Sequence, residues 1–186
     1  MKQRISIFWF RRDLRLDDNH ALFKALTSSK NVLPIFIFDT EILKQFPDKY
    51  DKRLSFIFQS LEEINFKLRK EYNSNIQYFY GKPIEVFKSL DGNYTIESIF
   101  FNEDYETYAN KRDKEIKDYF ESKNIKAFSF KDSLIFHKDE IQKSNNKPYT
   151  IYTPYSKVWL EKFENTNLEY YPSEEYLKNL IPIENN

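Results

Sequence analysis

Apolar residues follow two rhythms along the chain. Five short, nearly continuous runs, Ile5–Phe10, Val32–Phe38, Ile76–Tyr80, Ser98–Phe101 and Ile125–Phe130, are rich in Ile, Val, Phe or Tyr. Such runs are too short for a typical helix, and their continuity predicts strands covered on both faces, as in a parallel sheet. Between them, apolar positions recur every three to four residues. Asp18 is placed to cap a first helix through Ala21, Leu22, Ala25 and Leu26. Leu54, Ile57, Phe58, Leu61, Ile64 and Leu68 mark a long second helix, and Pro83 opens a shorter third through Val86, Phe87 and Leu90. Tyr105, Tyr108, Ala109, Arg112, Ile116, Tyr119 and Phe120 mark one face of a fourth. Alternation of this kind predicts an α/β fold, a Rossmann-like doubly wound five-stranded parallel sheet of order 3-2-1-4-5 with helices on both faces.

The alternation stops after Phe130, so residues 1–130 are expected to form the α/β core. Residues 131–164 read as an extension of loop and short extended pieces, still packed on that core. It ends in a short helix that Thr153 would cap and Pro154 would open. From Lys157 onward three Lys stand against six Glu, and 165–186 reads as an acidic linker. In a sheet of this order ligands gather where the strand order reverses, between the first and fourth strands. The segments at that mouth are Phe10–Asp13, Asp39-Thr40 and Asn102–Tyr105.

Composition narrows the chemistry. The chain has 186 residues, 29 Lys+Arg against 29 Asp+Glu, and only two glycines, Gly81 and Gly92. Average usage would give about 13 glycines, and clustered glycine is what phosphate-cradling loops require. Zero cysteine excludes disulfides, thiolate metal sites and cysteine nucleophiles, and two histidines, His20 and His137, leave little for a metal. The absence of basic excess counts against autonomous DNA binding. No apolar run reaches membrane-spanning length, and nothing resembles a secretory leader, so a cytoplasmic protein without membrane or metal partners is expected.

The residues at the expected crevice also carry a family signature. Trp9-Phe10-Arg11-Arg12-Asp13-Leu14-Arg15-Leu16-Asp17-Asp18-Asn19 resembles the N-terminal motif of DNA photolyases and cryptochromes. Phe101–Glu106 with Tyr108-Ala109 and Arg112-Asp113, Lys131–Ile135, and Pro148–Tyr155 with Trp159 agree in order and spacing. Arg12 stands where DASH cryptochromes usually show Asn, which argues against that branch. The resemblance implies an antenna domain of a deoxyribodipyrimidine photolyase, which absorbs light and passes excitation to FAD. FAD, damaged DNA and the electron-transfer tryptophans would belong to a helical FAD-binding domain, the implied partner, so this chain is expected to carry no catalytic residue. The same domain of a cryptochrome photoreceptor, or a docking α/β domain with no bound antenna, are the alternatives. A stand-alone nucleotide-binding module of the universal-stress or electron-transfer-flavoprotein type is disfavoured by the scarcity of glycine.

The resemblance also implies which antenna. Folate-binding members carry an Asn-Glu pair where this chain has Tyr108-Ala109. Members that bind FMN or a deazaflavin have an Arg after strand one, an Asp closing strand two, an Arg opening helix two and an acidic residue after strand four. Arg11 or Arg12, Asp39, Arg53 and Asp104 occupy those places, which makes FMN or a deazaflavin the expected cofactor, with Phe10 and Phe38 candidates to sandwich its ring. Each residue also has a plainer reading. Asp17, Asp18 and Asn19 suit a turn and a helix cap, and Arg12 and Arg15 suit ion pairs with Asp13 or Asp113. The Arg112-Asp113 pair suits a structural role, and Arg11, leaving strand one at the crevice, is the better ligand candidate. His20 reads as a surface residue. The aromatic stretch Tyr149–Trp159 reads as linker packing, and side chains left exposed there would mark a docking face.

Overall fold

Strands β1 (Arg4–Phe10), β2 (Val32–Asp39), β3 (Gln77–Gly81), β4 (Thr95–Asn102) and β5 (Lys126–Phe130) form one parallel sheet in the order β3-β2-β1-β4-β5. The computed structural model describes residues 2–46, 48, 51–137 and 139–183. Among the described residues six α-helices connect and follow the strands: α1 (His20–Ser28), α2 (Thr40–Leu43), α3 (Lys52–Tyr72), α4 (Pro83–Asn93), α5 (Thr107–Glu121) and α6 (Tyr152–Glu164).

Alternate residues of the central strands face opposite layers, because successive strand side chains point to opposite sides. Phe8 and Phe10 pack with Leu22 and Leu26 of α1 and Leu61, Ile64 and Leu68 of α3. Ile5, Ile7 and Trp9 pack with Val86, Phe87 and Leu90 of α4 and Ile116 and Phe120 of α5. Both faces of β1 are thereby sealed, which is why its sequence is continuously apolar. Gly81 ends β3 at φ 150°, a backbone conformation that favours glycine, just before Pro83 starts α4.

Several local expectations shift. Asn19, rather than Asp18, caps α1: its Oδ1 accepts the Leu22 N–H at 3.1 Å. Asp18 sits one position earlier at φ 47° and accepts the Tyr171 N–H at 2.9 Å. On α3, Phe58 points outward and Asn65 takes a buried place, because its amide closes a bond to the Ile76 N–H at 2.6 Å. Helix α6 begins at Tyr152 without a side-chain cap, so Thr153 lies inside it. Residues 131–164 pack partly on themselves: Trp159 stands edge-on to Phe136 with centroids 5.4 Å apart.

Within 165–186, expected to be an acidic linker, residues 171–183 pack on the core. A 3₁₀ helix (Ser173–Asn179) lies on α1, with Leu177 and Leu180 buried in the core beside α1. Backbone bonds from Ile181 to Val32 and from Ile183 to Asn73, at 2.9 and 2.7 Å, fasten the chain to the start of β2 and to the C-cap of α3. Composition concealed this, because the anchoring apolar residues are few and interspersed with Glu and Lys.

Candidate functional site

The junction between β1 and β4, where strand order reverses, is filled by the protein's own polar groups. The Asn102 amide donates to Asp13 at 2.5 Å and to Asn19 at 2.8 Å, and its oxygen accepts the Ala21 N–H at 3.0 Å. Asn19 and Asn102 are buried, so these bonds satisfy groups that would otherwise be costly to desolvate. A cavity of about 360 Å³ remains over this junction, lined by Asp13, Asn102, Tyr105 and Asp132 among others, and a second opens to one side. A cavity of about 490 Å³ opens above the C-terminal ends of β1 and β2, between α2, the start of α3 and the loop after β4.

All five residues singled out from the sequence, Arg11, Arg12, Asp39, Arg53 and Asp104, line this cavity. Their states differ. Arg11 is a buried structural group rather than a free ligand donor. Its guanidinium pairs with Asp113, donates to the Asn102 carbonyl at 3.1 Å, and lies 4.1 and 4.3 Å from the ring centres of Trp9 and Phe101. Burial, then the neighbouring Arg112 charge, push its pKa down, and the Asp113 carboxylate opposes them. Arg12 stays at the rim, bridging Glu106 at 2.6 Å and Asp104 at 3.3 Å, and those carboxylates, Glu106 foremost, hold its pKa above the ordinary value. Arg15 leaves the site altogether and pairs with Asp132 at 2.7 Å.

Asp39 closes β2 and caps α2, accepting the Glu41 N–H at 3.0 Å. Its other oxygen takes the Tyr108 hydroxyl at 2.7 Å and faces Arg112 at 3.6 Å. Burial and this bond push the Tyr108 hydroxyl's pKa up. Arg53 is held at the mouth by Asp51, which accepts its Nε at 2.9 Å and its Nη2 at 2.7 Å and caps α3 through the Arg53 N–H. The same guanidinium holds the Asp51 pKa down, to about 2, and lies 4.5 Å over the Phe46 ring.

Apolar walls come from Phe10, Phe36, Phe38, Ile42, Phe46 and Leu54. Phe10 is core-packed and Phe38 is half-buried, so only Phe38 of the expected pair presents a substantial free face. Arg112, Tyr108 and Glu106 escaped the sequence reading as site residues. Arg112 reads from the sequence as a structural partner of Asp113, and Tyr108 acts through Asp39, a contact between segments far apart in sequence. The implied flavin-type ring fits the donor set: flat apolar walls on a cavity of usual ligand size, with guanidinium and carboxylate groups along one edge. Among the described residues no group of His, Asp or Glu is arranged to hold a metal, and no helix is long and apolar enough to cross a membrane.

A family model described as DNA photolyase matches residues 6–174. The chain is 29% identical to a deoxyribodipyrimidine photo-lyase from a Synechococcus strain, covering 82% of this chain and 31% of that protein. It is 28% identical to a (6-4) DNA photolyase from Arabidopsis thaliana, covering 82% of this chain and 29% of the relative. Among solved structures it resembles an archaeal photolyase from Sulfolobus tokodaii containing two FAD molecules, with TM-score 0.71 and 28% identity over 89% of this chain and 36% of that one. The chain thus spans about a third of the length of these proteins.

Proposed function

The chain belongs to the DNA photolyase family, and on that basis we propose that it is the antenna domain of a light-driven DNA repair enzyme, a deoxyribodipyrimidine photolyase. Its own task is to hold an antenna chromophore, FMN or a deazaflavin rather than folate, and to dock on a helical FAD-binding domain. Repair chemistry and contact with damaged DNA fall to that domain, and the setting is cytoplasmic. The observation that carries the reading is the convergence of Arg12, Asp39, Arg53 and Asp104 on one apolar-walled cavity of about 490 Å³.

Two facts support a flavin-type ring. The Sulfolobus tokodaii photolyase is described with two FAD molecules and the implication of a novel light-harvesting cofactor. At the position of the folate-binding pair this chain has Tyr108, committed to Asp39, and the buried Ala109, which offers no side-chain hydrogen bond. When bound, the ring supplies absorption of light and transfer of the excitation. The protein's residues position it. Phe38 and Phe46 bound the ring faces and exclude water, Asp104 and Arg12 meet its polar edge, and Arg53 covers the mouth.

Titration with flavin, followed by quenching of its fluorescence, tests this. Saturable binding is expected, weakened about three- to ten-fold in Arg53→Ala and in Asp104→Ala, as for charge-assisted hydrogen bonds at a partly exposed rim. Absence of saturable binding by any flavin, or binding unaltered by both changes, overturns the reading.

A further inference from the structure

The cavity of about 360 Å³ over the junction of β1 and β4 has charges that do not balance. Among the described residues Asp13, Glu103, Asp104, Glu106 and Asp132 line it against three guanidiniums, Arg11, Arg12 and Arg15. Arg11 is turned to Asp113, which lies outside the lining, and Arg12 is shared by Asp104 and Glu106. Arg15 Nη2 donates to Asp132 Oδ1 at 2.7 Å, and the same oxygen accepts the His20 N–H at 3.1 Å. The other oxygen, Oδ2, has no partner, although the Asp132 side chain is only 3% exposed. The Tyr105 hydroxyl, on the same lining, is likewise buried and unpartnered. Burial, and then the charges of Glu103, Asp132, Glu140 and Asp104, push its pKa up, to about 12, so it stands in a field of negative charge. Asp13 meets neutral donors, the Arg11 N–H at 2.8 Å and the amides of Asn19 and Asn102. Glu103 accepts the Ser129 hydroxyl at 3.2 Å.

We infer that this cavity binds a small organic cation, an alkylguanidinium or alkylammonium head, whose N–H groups meet Asp132 Oδ2 and the Tyr105 hydroxyl oxygen. A buried carboxylate oxygen without a donor is costly, and the remedy must bring N–H or O–H groups. A neutral donor would close one hydrogen bond and leave the surplus of negative charge. A cation with several N–H groups answers both needs, and charge-assisted hydrogen bonds are the stronger kind. A bare metal ion is disfavoured, because no group of His, Asp or Glu among the described residues is arranged to hold one. An anion would face five carboxylates. The cavity shares Arg11, Arg12, Asp104 and Glu106 with the apolar-walled one beside it, but its two orphaned groups belong to it alone, and no chromophore is needed next door.

Calorimetric titration of the whole chain with butylguanidinium and with butylurea, its uncharged isostere, tests the inference. The cation is expected to bind saturably and about ten-fold more tightly at low ionic strength, with the gap narrowing as salt is added. Asp132→Asn keeps one oxygen for Arg15 and the His20 N–H and replaces Oδ2 by a donor, so it should close that gap by weakening the cation alone. Glu103→Gln leaves the bonds of Asp132 intact and should weaken the cation about three-fold, which keeps the test open if Asp132→Asn does not fold. Equal affinity for the two probes, no saturable binding of the cation, or a gap that neither variant moves overturns the inference. The same titration on the chain captured with a co-expressed helical FAD-binding domain separates two sources of one chemistry. Binding lost in the complex assigns the cation to a basic side chain of that domain, and binding retained assigns it to a free ligand.

Discussion

Arg11 lies between the rings of Trp9 and Phe101 with its charge opposite Asp113, and behaves as part of the core. Asp113 carries more than one duty, because Arg112 Nε also donates to it at 3.1 Å. Removing the carboxylate leaves two buried guanidiniums undercompensated, whereas removing Arg11 leaves Asp113 with Arg112. Asp113→Asn is therefore expected to lower unfolding free energy by about 3–5 kcal/mol, the range for breaking a buried pair. Arg11→Met should cost less, and denaturant unfolding of both variants measures the order. The reverse order would show that Asp113 does not serve both cations. At this scale the sequence singled out residues that line one cavity, but not the partners that hold them. Arg11 stands at the end of an apolar strand, as a ligand donor would, and nothing local reveals that Asp113, 102 positions away, claims it.

At the scale of elements, the strands and the four main helices were legible because their apolar periods are long and unbroken. The closing segment was not. Its attachment depends on Ser173, whose hydroxyl donates to the Leu16 carbonyl at 2.6 Å and accepts the Asn19 N–H at 3.1 Å, and on Tyr171, stacked on His20 with centroids 3.7 Å apart. His20 is thus half-buried beneath the tail rather than a free surface group. Burial lowers its pKa, more than its bond to the Lys131 carbonyl raises it. A histidine depressed in the folded state binds fewer protons there than when unfolded, so its share of stability is present above the unfolded value of about 6.5 and declines as pH falls below it. Unfolding midpoints between pH 7 and 5.5 should fall with pH, and His20→Gln should flatten that slope. An unchanged slope would separate His20 from the tail's attachment.

Across the whole molecule, exposed apolar side chains mark where it would meet something else. Ile151 and Tyr152 are 67% and 79% exposed and Leu160 is 52% exposed, while Trp159 and Phe163 of the same helix stack with centroids 5.1 Å apart. The stretch expected to be linker packing therefore leaves an apolar face open, as the docking reading requires. The paired change Tyr152→Ser, Leu160→Ser is expected to alter the chain's own stability by no more than about 1 kcal/mol, since exposed positions contribute little. It should weaken capture of a co-expressed helical FAD-binding domain of the family. Undiminished capture would place the docking face elsewhere.

Sequence alone determined the layer architecture, because a strand buried on both faces must be apolar throughout and a helix on a sheet must repeat every three to four residues. Strand ends also placed Arg12, Asp39 and Asp104 at the mouth of the sheet, while Arg53 was added by what the family resemblance implies. Only the tertiary structure decided which of those charges are already spent. The pairing of Arg11 with Asp113, of Tyr108 with Asp39 and of Arg12 with Glu106 joins segments separated by up to 102 positions. The same holds for the tail on α1, where Asn19 reaches Ser173 across 154 positions. Periodicity reports how one segment meets solvent. Pairing between distant segments is set by where the folded backbone brings them, and that is a property of the assembled sheet.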